Sequence, residues 1–292
     1  MTDALEVGSL EDYLKLVREQ LPPGRRYFRG QTKRASAGYF LKPSIGRHSH
    51  PRLTDFQQRS ALEREVLEVF SNHLISHVQH LPRNKWEALA IAQHHGLPTR
   101  FMDWTTNPLV ALYFAVRETK TNKRGARLSS AVYVLTSDPK TYADLIRQPE
   151  VKPTRDLQTV IPGHYSGDAA PVEAKIDPTG GYDLPDWNPT AALEAALDVR
   201  VEPFDISENI IYHPPHVSPR MRAQDSVLLA CYRPLEALEE HEYLEIVVRP
   251  RAHDDIRRRL DQYGVFDKQL FPDLDGIAKW LRYRVFECNE EP

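Results

Sequence analysis

Residues 93–116 read QHHGLPTRFMDWTTNPLVALYFAV, and the fold turns on how this run divides. Its second part holds Leu109, Val110, Ala111, Leu112, Phe114, Ala115 and Val116 with hardly a polar residue among them. A helix over Leu109 to Glu118 is therefore apolar all round and belongs in the centre of a domain. Thr106 or Asn107 supplies its N-cap, and Pro108 takes the first position, where a missing N–H costs nothing. The first part is polar. Gly96 suits the left-handed cap of a preceding helix near Trp86 to His94. Leu97 to Trp104 reads as an extended crossing between the two helices.

On the N-terminal side, Ser9-Leu-Glu-Asp12 resembles a capping box, and Leu10, Tyr13, Leu14, Val17 and Leu21 follow at helical spacing. Pro22-Pro23-Gly24 stops that helix, and Tyr27-Phe28 is a short strand-like pair running into Arg29-Gly30. A long helix is expected from about Thr54 to His80, with Leu62, Val66, Phe70 and Leu74 on its buried face. On the C-terminal side, strands are expected at Ala131 to Leu135, Ile210 to Tyr212, Val227 to Tyr232 and Tyr243 to Val248. Helices are expected near Ala191 to Leu197, over His253 to Tyr263 closed by Gly264, and from Leu274 to Phe286. Strands at both ends of the chain with helices between them predict an α+β fold, a small mixed or antiparallel sheet with surrounding helices. The expected organisation is one domain over 1–292. Its motif core is 25–232, a proline-rich excursion occupies about 138–219, and a helical extension follows at 250–292.

Composition narrows the class. The chain has 292 residues, 41% hydrophobic and 27% charged, ample for a sizeable core. The net charge of −3 makes the whole molecule no polycation, so any nucleic-acid contact has to use a local patch. One exists: Arg25 to Arg52 carries eight Lys or Arg and no acid. Two cysteines, Cys231 and Cys288, exclude a disulfide scaffold and a four-thiolate zinc site. No apolar run approaches the roughly 20 residues of a membrane span. The acidic start MTDALEVGSLEDYLKLV lacks the lysines of a secretory signal, so a cytoplasmic location without membrane attachment is expected.

Three constellations carry chemistry. In Tyr27-Phe28-Arg29-Gly30-Gln31, an arginine beside a glycine lets a guanidinium grip an anion while backbone amides approach a ligand. In the segment from Gln93 to Thr105, polar side chains crowd between two apolar helices. His94 and His95 adjoin there and cannot both enter one site, and Arg100 and Asp103 either pair with each other or face a ligand. In Arg220-Met-Arg-Ala-Gln-Asp-Ser226, polar groups stand at the mouth of a buried strand. His73, His77 and His80 share a helical face, but no carboxylate or cysteine joins them, and no metal is expected. Dinucleotide-fold, P-loop, zincin and nucleophile-elbow motifs are absent from the sequence.

At these residues the chain resembles the FRG domain family. The resemblance rests on Phe28-Arg29-Gly30-Gln31, Leu41-Lys-Pro-Ser44 with Arg47, and Ala92 to Arg100. It continues through Asp103-Trp104-Thr105, Asn107-Pro108-Leu109 and Ala111 to Ala115, and ends with Arg222 and Gln224. Phe101-Met102 stands where the family more often has two leucines, a volume-conserving change. More distantly, the layout is similar to mono-ADP-ribosyltransferases, which place an Arg-Gly pair, a Ser/Thr-bearing strand and a late Glu at three stations. That resemblance implies NAD as substrate, with Arg29, Asp103, Thr105 and Gln224 as catalytic groups. Tyr27, Gly30, Gln31, His95, Arg100 and Trp104 would then bind the dinucleotide. It further implies a toxin or phage-defence effector that modifies a nucleic acid or protein recruited through the basic 25–52 segment, with an antitoxin or immunity partner. Gln224 stands where the glutamate is expected, so NAD is either cleaved with an acid from elsewhere or only bound. Two alternatives stand beside this reading: a non-catalytic nucleotide or nucleic-acid-binding module, and a metal-independent ribonuclease with His95 and Asp103 as acid and base.

Overall fold

The computed structural model describes residues 5–21, 24, 26–74, 76–78, 81–147, 201–215 and 218–288. Its strands are β1 (Leu5–Val7), β2 (Phe28–Gln31), β3 (Phe101–Thr105), β4 (Ser130–Leu135), β5 (Ile210–Tyr212), β6 (Ser226–Ala230) and β7 (Tyr243–Val248). Its α-helices are α1 (Leu10–Glu19), α2 (Phe56–Leu74), α3 (Lys85–His94), α4 (Pro108–Val116), α5 (Tyr142–Arg147), α6 (Pro219–Ala223), α7 (His253–Gln262), α8 (Asp267–Leu270) and α9 (Leu274–Leu281). A π-helical turn, Arg282–Glu287, follows α9. The chain divides into two compact units, Met1–Tyr142 with Glu202–Pro292, and Ala143–Val201. The helix expected at 191–197 lies outside the described residues.

All seven strands join one open sheet in the order β1-β7-β4-β2-β3-β6-β5. Every pairing is antiparallel except β1 with β7. The fold is thus α+β. One face of the sheet, carrying Phe28, Val132, Val134, Ile246 and Val248, packs against α1, α4 and α7. As its composition requires, α4 is buried, and Asn107 caps it by accepting from the N–H groups of Leu109 and Val110. The Tyr13 hydroxyl ties α1 to the start of α4 by donating to the Pro108 carbonyl at 2.9 Å. Ile256, Leu260, Leu270 and Phe271 place α7 and the segment after it inside this same core. The opposite face, with Tyr27, Met102, Trp104, Tyr133 and Leu229, is covered by Leu41 and Leu238 from loops.

Two helical faces differ from expectation. In α1 the buried positions are Leu10, Tyr13 and Leu16, while Leu14 is exposed. In α2 the buried stripe runs through Arg59, Ser60, Glu63, Leu67 and Leu74, and Val66 faces outward. The reason is electrostatic. Glu63 is turned inward to meet the buried guanidinium of Arg100, whose Nε lies 2.9 Å from Glu63 Oε2. That ion pair overrides the apolar periodicity.

The register creates an opening in the sheet. β2 pairs with β4 at four positions but with β3 only at Phe28↔Thr105. Ladder alternation decides what faces the gap. The Tyr27 carbonyl accepts from Leu135 N–H at 2.9 Å, so Arg29 and Gln31 also bond towards β4. Phe28 and Gly30 therefore turn their backbone groups towards β3. On β3, the Arg100 carbonyl accepts from Cys231 N–H at 3.1 Å, so Phe101, Asp103 and Thr105 turn theirs towards β2. Past the single pair the strands part, and the edges at Gly30 and Asp103 are left without ladder partners across the gap.

Candidate functional site

A cavity of about 420 Å3 occupies this split. Its walls come from β2, β3, the ends of α3 and α4, the segment around Tyr39 and Arg47, and α6 with the start of β6. Five cations line it (Arg29, Arg47, Arg117, Lys120 and Arg220) against two carboxylates, Asp103 and Glu118. Glu118 is already paired with Lys120. Within a chain of net charge −3, the cavity is locally positive. Such a lining accepts an anionic ligand.

Three polar residues of the 93–105 segment, Gln93, Thr99 and Asp103, form one hydrogen-bonded chain with Ser44. Thr99 N–H donates to Ser44 Oγ at 3.0 Å, and Phe101 N–H donates to Thr99 Oγ1 at 3.0 Å. The Thr99 hydroxyl, its acceptor role filled, donates to Gln93 Oε1 at 2.6 Å. That bond fixes the Gln93 amide, so Nε2 donates to Asp103 Oδ2 at 3.1 Å. On the other side of the gap, Arg29 Nη1 donates to the Asp103 carbonyl and stands 3.9 Å from Oδ2. Burial pushes the Arg29 pKa down and Asp103 pushes it back up. A guanidinium still does not titrate in the working range.

Several predicted groups meet here and others do not. Arg29, Gly30, Gln31, Asp103, Trp104, Thr105 and Gln224 all line the cavity. Arg100 does not: it is 1% exposed, pairs with Glu63, and donates to the Pro203 carbonyl at 2.9 Å. Successive residues of a strand face opposite ways, and three steps separate Arg100 from Asp103, so the two do not pair. Tyr27 is buried in the opposite core, with its ring against His213. His95 is exposed and outside the lining, and the histidine at the cavity is His94. Burial, then Arg220 and His95, hold the His94 pKa below its usual value against the pull of Asp103. The acid–base pair of His95 with Asp103 therefore lacks a common site.

Two hydroxyl and amide groups are committed to the scaffold. Thr105 Oγ1 donates to the Gln224 carbonyl at 2.8 Å and accepts from Asn107 N–H at 3.0 Å. Gln224 Nε2 donates to the Leu270 carbonyl at 3.0 Å. Gly30 also has a structural task. A Cβ there would lie 1.8 Å from the Ala111 carbonyl oxygen, so the glycine lets α4 close on β2. Arg222 is exposed, and Arg220 enters the lining instead, its guanidinium 4.7 Å from the Phe271 ring centroid.

The basic segment does not form one patch. Arg34 forms a bidentate pair with Glu245, and Arg52 with Glu65. Arg26 donates to the carbonyls of Val17 and Leu21. Arg29 and Arg47 line the cavity, and Lys33 and Arg47 flank the Tyr39 ring at its rim. His80 lies outside the described residues, among which no cluster of three metal-ligating side chains occurs. No helix among the described residues is long and apolar enough to cross a membrane.

Sequence reasoning missed Lys120, Arg117 and Arg220 as lining residues. Arg117 and Lys120 sit beyond the last motif residue of α4, and Arg220, although it opens the third constellation, was not singled out; only the close of α4 and the seating of α6 bring them to the gap.

The class defined is an α+β domain whose sheet parts over a cationic cavity. Residues 24–124, from before β2 to past α4, match the family model of the FRG domain. Gln224 and Arg220 lie beyond the match. No curated protein and no solved structure matches the chain.

Proposed function

We propose that the cavity binds NAD as a substrate and that the protein transfers its ADP-ribosyl group to an acceptor. The observation that carries this reading is the convergence of Arg29, Gly30, Asp103 and Gln224 on one cavity with five cations in its walls. A dinucleotide brings two phosphates, which match guanidinium donors, and flat rings, which match Trp104 and Phe114. In the proposed step the bond between ribose C1′ and the nicotinamide nitrogen breaks, and its electron pair leaves with nicotinamide. The oxocarbenium-like ribose is stabilised by the Asp103 carboxylate, held in place by Gln93 Nε2. An acceptor nucleophile then bonds to C1′, and its proton passes to the neutral His94 imidazole. Lys33 and Arg47, beside Tyr39 at the rim, favour a polyanionic acceptor such as nucleic acid. The test is release of nicotinamide from NAD in the presence of RNA, DNA and protein acceptors. Asp103→Asn should lower it by about a hundredfold or more. No release with any acceptor overturns the transferase reading.

A second reading, binding without turnover, is favoured by one specific observation. The Thr105 hydroxyl and the Gln224 amide N–H, two of the groups expected to act on the ribose, are engaged in scaffold bonds. It is distinguished by NAD raising Tm while no nicotinamide appears.

A further inference from the structure

The side chain of Gln31 is 6% exposed, lines the cavity, and leaves both Oε1 and Nε2 without a hydrogen-bond partner. Among the other lining groups, Arg29 Nε and Trp104 Nε1 are likewise buried and unpartnered. A buried primary amide with neither group satisfied is costly, and a scaffold role gives no return for that cost. A glutamine amide presents one donor and one acceptor side by side. Its complement is a ligand edge with an acceptor beside an N–H donor, read through two parallel hydrogen bonds. Gly30 adds a backbone N–H and C=O in the adjacent gap, so this end of the cavity is built to read an amide-like edge.

We infer that Gln31 is the specificity residue of the site and pairs with an adjacent donor–acceptor edge of the ligand. This rests on the dinucleotide reading above, and two groups of NAD carry such edges: the nicotinamide carboxamide, and adenine through N6 with N7 or N1. The cations hold the phosphates, and Gln31 decides which end group is accepted.

Titration calorimetry of the full chain tests this with three ligands. These are NAD, its analogue with a carboxylate in place of the carboxamide, and its analogue with unsubstituted purine, which lacks the 6-amino donor, in place of adenine. The wild type should bind one analogue about tenfold or more weakly than NAD, which identifies the edge that is read. Gln31→Leu should weaken NAD to the level of that analogue and abolish the discrimination. Its ligand-free Tm should equal or exceed that of the wild type, because an unsatisfied buried amide is removed. A structural glutamine would instead lower Tm and leave the discrimination intact, which overturns the inference while the dinucleotide reading stands. Equal binding of all three ligands by the wild type overturns it too. No binding of NAD at all overturns the reading and the inference together.

Discussion

Gly30 shows how one side chain, or its lack, can serve packing at the edge of a site. Its missing Cβ is demanded by the Ala111 carbonyl of α4, while its backbone faces the cavity. Gly30→Ala should destabilise the protein by at least about 3 kcal/mol, since the clash is with backbone that cannot rotate away. Urea denaturation measures this, and a loss below about 1 kcal/mol would mean that α4 lies farther from β2. The motif containing Gly30 was legible in the sequence. Its purpose was not, because a glycine beside an arginine suits a ligand-approach loop and a helix-packing strand equally well. His94 and His95 pose the same difficulty. Adjacent positions must diverge, but only the path of α3 into the Gly96 turn decides which one reaches the cavity.

At the scale of elements, the pair of Arg100 with Glu63 joins β3 to α2, and the Pro203 carbonyl adds a third strand of chain. Burial raises the Glu63 pKa, and the guanidiniums of Arg100, Arg59 and Arg64 oppose it. Removing one partner leaves a buried charge. Arg100→Met should therefore cost about 3–5 kcal/mol, and the double variant Arg100→Met with Glu63→Leu should recover most of that. A double-mutant cycle in urea checks it. Additive losses would show that the two side chains are not coupled. Within this layer most strands and helices followed from patterning, with β4, β5 and β7 close to their expected limits. The buried face of α2 did not follow, because an inward glutamate is invisible to a hydrophobic periodicity. β1 was missed for a different reason: three residues carry no period, and only the parallel pairing with β7 makes them a strand.

At the scale of the whole molecule, a negative chain encloses a positive cavity. Anions should be drawn in by a field that salt weakens. Affinity for ADP-ribose is expected to fall by about tenfold from about 50 to about 500 mM NaCl. Binding of uncharged nicotinamide should barely change over the same range. A salt-independent affinity for ADP-ribose would remove the cationic walls from the account of binding. The basic stretch from Arg25 to Arg52 illustrates why local charge density is a poor guide at this scale. Glu245, far along the chain, and Glu65, on α2, neutralise two of its arginines, and the cavity takes two more.

The sequence by itself determined the α+β class, the buried α4 with Pro108 at its first position, and the FRG motifs that hold Arg29, Gln31 and Asp103. Those features are local, written in periodicity, caps and short motifs, and they need no knowledge of distant residues. Tertiary structure alone decided that β2 and β3 part after a single pair, that Arg100 turns inward to Glu63, and that His94 rather than His95 meets the cavity. Each of those outcomes depends on strand register and on charges brought together across long stretches of chain. No local rule can fix either of them.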